Sequence, residues 1–140
     1  GCDSLRMYEL FVGPPELDCD WDDSGIDGVF RFLNRVWKMV YANKASDKAP
    51  SKDEEYIVNK MIADVTKRVE SLAMNTIVST FMESTNKLMD VAKKEGSLSK
   101  STLETLTVML APFAPHIAEE MWHELGHENT VFEAGWFRTV

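Results

Sequence analysis

The sequence has few cysteines, with only Cys2 and Cys19 among its 140 residues. Two cysteines are too few for a disulfide scaffold, so we expect free thiols in a reducing cytoplasm. It also lacks any uninterrupted apolar run near the roughly 18 residues that a membrane span needs, and no signal-peptide pattern opens it. These absences favour a cytoplasmic protein with no membrane partner.

Hydrophobic residues make up 44% of the chain and charged residues 27%, which is ordinary for a folded globular protein and excludes a disordered one. With 140 residues, the chain has the length of one domain. We therefore predict a single domain over 1–140, with an irregular tail over 127–140.

The net charge of −8, taken for the whole chain, argues against a nucleic-acid partner. The charge is unevenly distributed, however. Residues 1–28 include eight acidic and one basic residue, and 101–140 include six acidic and one basic residue. The middle, 29–100, has nine acidic and thirteen basic residues. Such a chain can still present a positive face.

The hydrophobic spacing is helical nearly throughout the first half, and no alternating strand pattern of useful length appears. A short helical pattern begins at Asp3 and stops at a Gly-Pro-Pro turn. Ser24 with Asp27 resembles a capping box and predicts a helix over about Ile26–Ala45. After a polar linker, Ser51 with Glu54 forms a second capping box that opens the next helix.

Three further helices are predicted in the second half. The first runs over about Asn75–Lys94 and ends at Gly96, and the second lies around 103–113. The last runs over about His116–Leu125, and 130–136 could be extended. The sequence therefore predicts an all-α bundle of five or six helices.

His123, Glu124 and His127 satisfy the H-E-x-x-H pattern. On a continuous helix this spacing places two imidazoles on one face to bind zinc, with the glutamate as general base. A zinc metallopeptidase-like protein is therefore one hypothesis. However, no third protein ligand follows at a familiar spacing, and Gly126 is expected to end the helix before His127. We therefore favour a turn without metal.

Two other patterns favour structure over chemistry. Asp18, Asp20 and Asp22 imitate the start of a calcium loop, but the glycine and the final glutamate of such a loop are missing. The run 97–101 faintly resembles a K-M-S-K-S nucleotide-binding loop, but it lacks the first lysine, and Ser99 is better explained as a helix start. We predict no catalytic residue in this chain.

Arg31, Arg35 and Lys38 share an arc of about 60° on the helix predicted from Ile26 onward. Three cations aligned over two turns can follow a phosphate backbone, although a solvated polar face is the alternative interpretation.

Apolar side chains are expected to fill the opposite side of the same helix. They are Val29, Phe30, Phe32, Leu33, Val36, Trp37, Val40 and Tyr41. We predict that Leu33, Trp37 and Val40 pack inward, against the helices that carry Met61 and Met82.

Several stretches of the sequence are distinctive. They are Leu10-Phe-Val-Gly-Pro-Pro-Glu-Leu-Asp18, Trp21-Asp-Asp-Ser-Gly25, Arg31-Phe-Leu-Asn-Arg-Val-Trp37 and Leu110–Trp122. Together they resemble the bacterial-type leucyl-tRNA synthetases, in register from Cys2 to Trp136. The Leu110–Trp122 stretch is shared with valyl and isoleucyl relatives, whereas the first two favour leucine.

The resemblance implies the α-helical anticodon-binding domain of such an enzyme, non-catalytic in itself. Its partners would be tRNA(Leu) and the upstream catalytic domain of the same chain. That domain would use ATP and Mg²⁺ to activate leucine, with no cofactor held in this part. The family relies little on anticodon bases, so Arg31, Arg35 and Lys38 are expected to contact the tRNA backbone. A purely structural helical bundle is the alternative.

Overall fold

The computed structural model describes Asp3, Ser4, Met7, Tyr8 and 23–134. The acidic loop with its calcium-like pattern, both cysteines, the Gly-Pro-Pro turn and the end of the tail lie outside these described residues. Within them, the chain forms five α-helices and no β-strand, so the predicted all-α class is confirmed. The four described residues near the start are helical as well.

The described helices follow one another through short connections. They are α1 (Asp23–Asn43), α2 (Lys52–Glu70), α3 (Ile77–Glu95), α4 (Lys100–Leu110) and α5 (Pro115–Glu124), with short 3-10 helices at Met74–Thr76 and Val131–Ala134. In the described part of the chain, no helix combines the length and the hydropathy of a membrane span.

The start of α2 follows the predicted capping box. Ser51 Oγ accepts a hydrogen bond from the backbone N–H of Glu54 at 3.2 Å, and Glu54 Oε2 accepts one from the backbone N–H of Ser51 at 2.9 Å. The box predicted at Ser24 and Asp27 does not mark a helix start, because α1 already includes Ser24. Local capping chemistry therefore sets one of these two helix starts.

The end of α3 and the start of α4 also match their local signals. Gly96 follows α3 with φ of +90°, a conformation that glycine adopts without the strain a Cβ would bring. Ser99 opens α4, and its hydroxyl accepts a hydrogen bond from the backbone N–H of Ser101 at 3.2 Å. The interpretation of Ser99 as a helix start is confirmed.

The core lies between the helices of this bundle. The helices α2 and α3 pack along each other, α4 lies against α2 and α5, and α1 lies across α3 and α5. Phe81 of α3 meets Phe113, which precedes α5, with ring centroids 5.6 Å apart. Burial of such side chains is the main stabilising contribution.

Only some of the side chains on the predicted apolar side of α1 are buried. Leu33 and Val40 are buried as predicted, whereas Trp37 is only partly buried. Phe30 and Tyr41 are 49% and 54% exposed, so their predicted burial is wrong. The buried positions of α1 centre on one direction, and these aromatic residues lie about 100–140° from it, beyond the reach of α3 and α5.

The segment considered for an extended path forms the 3-10 helix Val131–Ala134 instead. Glu119 of α5 explains this outcome, because its Oε1 accepts hydrogen bonds from the Thr130 hydroxyl and from the backbone N–H of Val131, the latter at 3.2 Å. Val131 is buried against α4 and α5. A tertiary contact, invisible in local sequence, thus determines the conformation here.

Candidate nucleic-acid interface

The outer face of α1 presents the three cations singled out from the sequence. Arg31, Arg35 and Lys38 are all exposed, while Phe32 and Val36, between them in sequence, have no exposed surface. A 21-residue helix with one buried face holds its other face in a fixed orientation. The structure therefore places the three side chains together on one solvent-facing surface, which we call the cationic face.

Within the described residues, the charges of this face have no ion-pair partner. Among the described residues, no carboxylate lies within ion-pair distance of Arg31, Arg35 or Lys38, although Asp27 is exposed one turn before Arg31. By contrast, Lys48 pairs with Glu54 and Glu95, at 3.1 and 3.4 Å. As far as the described residues go, the cationic face is thus available to an external anion.

Lys44 fixes the end of α1 to α5. Its ammonium lies 2.9 Å from Glu124 Oε2 and 4.1 Å from the centroid of the Tyr41 ring. The hydrogen bond with Glu124 raises the pKa of Lys44 above its ordinary value. This contact holds the carboxyl-terminal turn of α1 and the Tyr41 side chain in place.

A buried carboxylate anchors the linker that leaves α1. Glu54 has no exposed side-chain surface and accepts hydrogen bonds from Lys48 Nζ at 3.1 Å and from the backbone N–H of Ser99 at 2.7 Å. Burial alone would raise the pKa of Glu54. The hydrogen bonds from Ser51, Ser99 and Lys48 outweigh burial and hold the pKa below its ordinary value. The linker and the starts of α2 and α4 therefore meet at one ionised group.

The H-E-x-x-H residues do not share a helical face. The helix α5 ends at Glu124, and Gly126 has φ of +98°, so His127 lies past the helix as expected. Its ring stacks on Trp122, with centroids 3.7 Å apart, while His123 Nδ1 donates to the His127 carbonyl at 2.9 Å. In the described ranges, no group of three or more His, Cys, Asp or Glu side chains is placed to hold a metal ion.

Sequence reasoning missed an aromatic pair beside the cationic face, in which Trp37 is partly buried and Tyr41 is exposed. Trp37 and Tyr41 lie four residues apart on α1, with ring centroids 6.4 Å apart and planes inclined by 28°. The signal was present in the sequence, because the apolar residues of α1 cover a wider arc than neighbouring helices can bury. An excess of aromatic residues flanking a basic stripe is typical of nucleic-acid-binding surfaces.

Comparisons with known proteins agree over nearly the whole chain. A family model for the anticodon-binding domain of tRNA ligase matches residues 55–140. The leucine–tRNA ligase of Parabacteroides distasonis is 43% identical over 97% of this chain and 14% of its own length. That of Crocosphaera subtropica is 42% identical over 97% of this chain and 17% of its own length. The chain thus spans about one sixth or less of these relatives.

A solved structure gives the same result in three dimensions. The structure of a LeuRS–tRNA–LeuAMS ternary complex from Agrobacterium radiobacter K84 superposes with a TM-score of 0.78 and 28% identity. The superposition covers 99% of this chain and 20% of the matched chain. The superposition therefore includes α1, which lies before the span of the family model.

Proposed function

The chain belongs to the anticodon-binding domain family of the tRNA ligases, and from this premise we propose that it docks tRNA(Leu) for leucylation by a catalytic domain of the same enzyme. The resemblance predicted from the sequence is confirmed by the family model and by leucine–tRNA ligases at about 40% identity. What the relatives bind and catalyse is carried over here as a proposal.

The cationic face is the observation that supports docking on α1. Arg31, Arg35 and Lys38 are exposed, lie on one side of a rigid helix, and have no ion-pair partner among the described residues. Arginine binds phosphate oxygens in a bidentate manner, and lysine supplies a point charge. Three such groups over two turns fit a run of backbone phosphates. We therefore assign the tRNA contact to this face.

The proposed mechanism is positioning, without bond-making. An A-form RNA stem hides its base edges in a deep major groove, so a helix surface meets mainly phosphate and 2′-hydroxyl groups. A domain that holds the stem in one orientation brings the distant 3′ end to the reacting group and lowers the entropic cost of the transfer step. We therefore propose backbone docking without reading of the anticodon triplet, as the resemblance to the leucyl-tRNA synthetases implies.

The remaining parts of the reaction are assigned elsewhere in the enzyme. Leucine activation with ATP and Mg²⁺ belongs to the catalytic domain, which precedes this segment in the family and is its intramolecular partner. We propose no cofactor for this chain, as the resemblance implies. A role in protein synthesis also supports the cytoplasmic location expected from the sequence.

The test is tRNA binding by matched charge variants. Replacement of Arg31, Arg35 and Lys38 by glutamine should weaken binding of a leucine tRNA transcript. It should also reduce the slope of log affinity against log salt by about two to three. Each phosphate contact releases counterions when it forms, and the variant would lack three such contacts. Replacing Lys60, Lys67 and Lys93, exposed on α2 and α3, makes the same charge change away from the face.

Equal loss in both triple variants would mean that only net charge matters, and the cationic face would not be the docking site. Unchanged affinity and slope in the first variant, or no salt-sensitive binding by the wild type, would leave a purely structural bundle. Thermal unfolding monitored by circular dichroism checks that the fold survives, as expected for side chains outside the core.

A further inference from the structure

The aromatic side of α1 is unexplained by the packing of the bundle. Phe30 and Tyr41 are about half exposed, and Trp37, between them, is only partly buried. The three residues fall within an arc of about 40° on the helix, so they form one row along its length. We call Phe30, Trp37 and Tyr41 the aromatic row. Phe30 lies about 10 Å along the axis from Trp37, whereas Trp37 and Tyr41 are in ring contact, so this pair is the part of the row that offers one apolar surface to a partner.

The carboxyl-terminal end of this row is held in a defined geometry. Trp37 and Tyr41 are offset, near-parallel rings, and the Lys44 ammonium lies over one face of the Tyr41 ring. Glu124 in turn holds the ammonium at 2.9 Å. A ring fixed in this way loses little side-chain entropy when a flat ligand binds against it. More than half of Tyr41 stays exposed despite these contacts.

The aromatic row and the cationic face are neighbouring strips of the same helix. Their centres are about 110° apart around the axis, which corresponds to about 9 Å at the surface of a helix with side chains. This separation is comparable with the reach of one nucleotide from its phosphate to its base. A strand that runs along Arg31, Arg35 and Lys38 can therefore turn a base onto the aromatic row.

We propose that the Trp37–Tyr41 pair is a stacking site for an unpaired base of the bound tRNA. The proposal deepens the function proposed above and rests on it, because the neighbouring cations must hold the backbone. Every base has a π-face, so stacking is tolerant of sequence. The site therefore distinguishes unpaired from paired RNA without reading a particular base.

Another exposed tyrosine, Tyr56 on α2, lies in surroundings of different charge. Tyr56, which is 68% exposed, lies at a groove between α2 and α3 whose lining alternates Lys60, Asp64, Glu83 and Lys87. This mixed charge does not complement a polyanion. The aromatic row does, because it lies next to three cations that have no ion-pair partner among the residues the structure describes. Tyr56 thus serves as a matched control for the loss of an exposed tyrosine ring.

The experiment compares Tyr41→Ala, Tyr41→Phe and Tyr56→Ala with the wild type. The probes are a leucine tRNA transcript, a fully paired RNA duplex, and the same duplex carrying an unpaired loop. Tyr41→Ala should weaken binding of the transcript and of the loop-bearing RNA by about 5- to 160-fold, the range measured for loss of one stacked base. Its affinity for the paired duplex and its salt slope should match the wild type.

Tyr41→Phe keeps the ring and should bind as the wild type does, as should Tyr56→Ala. If Tyr41→Ala keeps its affinity while the glutamine triple variant loses it, docking on the cationic face stands and the stacking site is wrong. Equal weakening toward paired and looped RNA, or equal weakening in Tyr41→Phe, would also overturn the proposal. If neither the triple variant nor Tyr41→Ala changes tRNA binding, the proposed docking on the cationic face is wrong, and the stacking site, which rests on it, is wrong as well.

Discussion

The carboxylate of Asp3 caps a helix that begins more than a hundred residues later. Its oxygens accept hydrogen bonds from the backbone N–H groups of His116 and Ile117 in the first turn of α5, at 3.4 and 2.7 Å. The N-cap residue itself, Ala114, has no side-chain acceptor, and Pro115 has no N–H. Asp3 therefore supplies across the fold what Ser51 and Ser99 supply locally at the starts of α2 and α4.

This relationship predicts that Asp3→Ala lowers the free energy of unfolding by about 0.5–2 kcal/mol, the usual cost of losing a helix cap. Asp3→Asn keeps an oxygen acceptor and should lose less. Urea denaturation followed by circular dichroism measures both variants. A midpoint unchanged in Asp3→Ala would show that solvent satisfies the N–H groups of α5 equally well.

A pH dependence follows from Glu54. Its pKa is lower in the folded protein than in the unfolded chain, so it stabilises the fold above the unfolded pKa of about 4.3. This stabilisation is lost as the pH falls through the lowered folded-state pKa. We expect Glu54→Gln to be less stable at pH 7 and to depend less on pH between about 5 and 2.

The matched control for this measurement is Glu55→Gln, an exposed neighbour on the same turn of α2. It should follow the wild-type profile of unfolding free energy against pH. A steep acid-induced loss that persists in Glu54→Gln would assign the pH dependence to another carboxylate.

Much of the helix pattern could be predicted because its signals are local. Ser51 with Glu54, Ser99 and Gly96 all act within one turn of their own helix, and the structure places each where expected. The cap from Asp3 and the 3-10 helix at Val131–Ala134 depend on partners distant in sequence. No spacing rule along the chain reveals such partners.

The candidate site was likewise predictable only in part. Helical periodicity correctly placed Arg31, Arg35 and Lys38 on an exposed face, and their role in tRNA binding stays a prediction. The same periodicity misplaced Phe30 and Tyr41, because it gives the direction of a side chain but not the width of the surface that neighbours cover. That width is a property of the assembled bundle.

Two glycines should respond oppositely to alanine. Gly28 lies exposed inside α1, and a Cβ there would meet no atom within 4 Å. Gly28→Ala should therefore raise the free energy of unfolding by about 0.5–1 kcal/mol. Gly96 has φ of +90°, so Gly96→Ala should lower it by roughly 1–2 kcal/mol. The melting temperatures of the two variants measure this difference. If both shifted in the same direction, the assignment would be wrong.

The two described tryptophans should differ in their contribution to stability. Trp122 is 6% exposed and donates a hydrogen bond to Asn129 Oδ1 at 3.1 Å, so Trp122→Ala should cost about 3–5 kcal/mol. Trp37 is only partly buried, and we expect Trp37→Ala to cost roughly 1–2 kcal/mol. Denaturant titrations of the two variants measure both losses of unfolding free energy. An equal loss would place Trp37 inside the core after all.

Single substitutions within the cationic face test whether its members act separately. Arg31 and Lys38 are seven residues apart, about 10 Å along the axis, so they reach different phosphates of one strand. Each single change to glutamine should reduce the slope of log affinity against log salt by about 0.7–0.9. The three effects should sum to that of the triple variant. Lys93→Gln on α3 should change nothing.

Arg35 lies between the other two cations and allows a sharper version of this test. Arg35→Lys keeps the charge but loses the planar pair of donors that binds two phosphate oxygens. It should therefore weaken tRNA affinity while leaving the salt slope as in the wild type, whereas Arg35→Gln should reduce both. If Arg35→Lys binds as tightly as the wild type, the contact is a point charge. If Arg35→Gln does so too, Arg35 faces solvent in the complex.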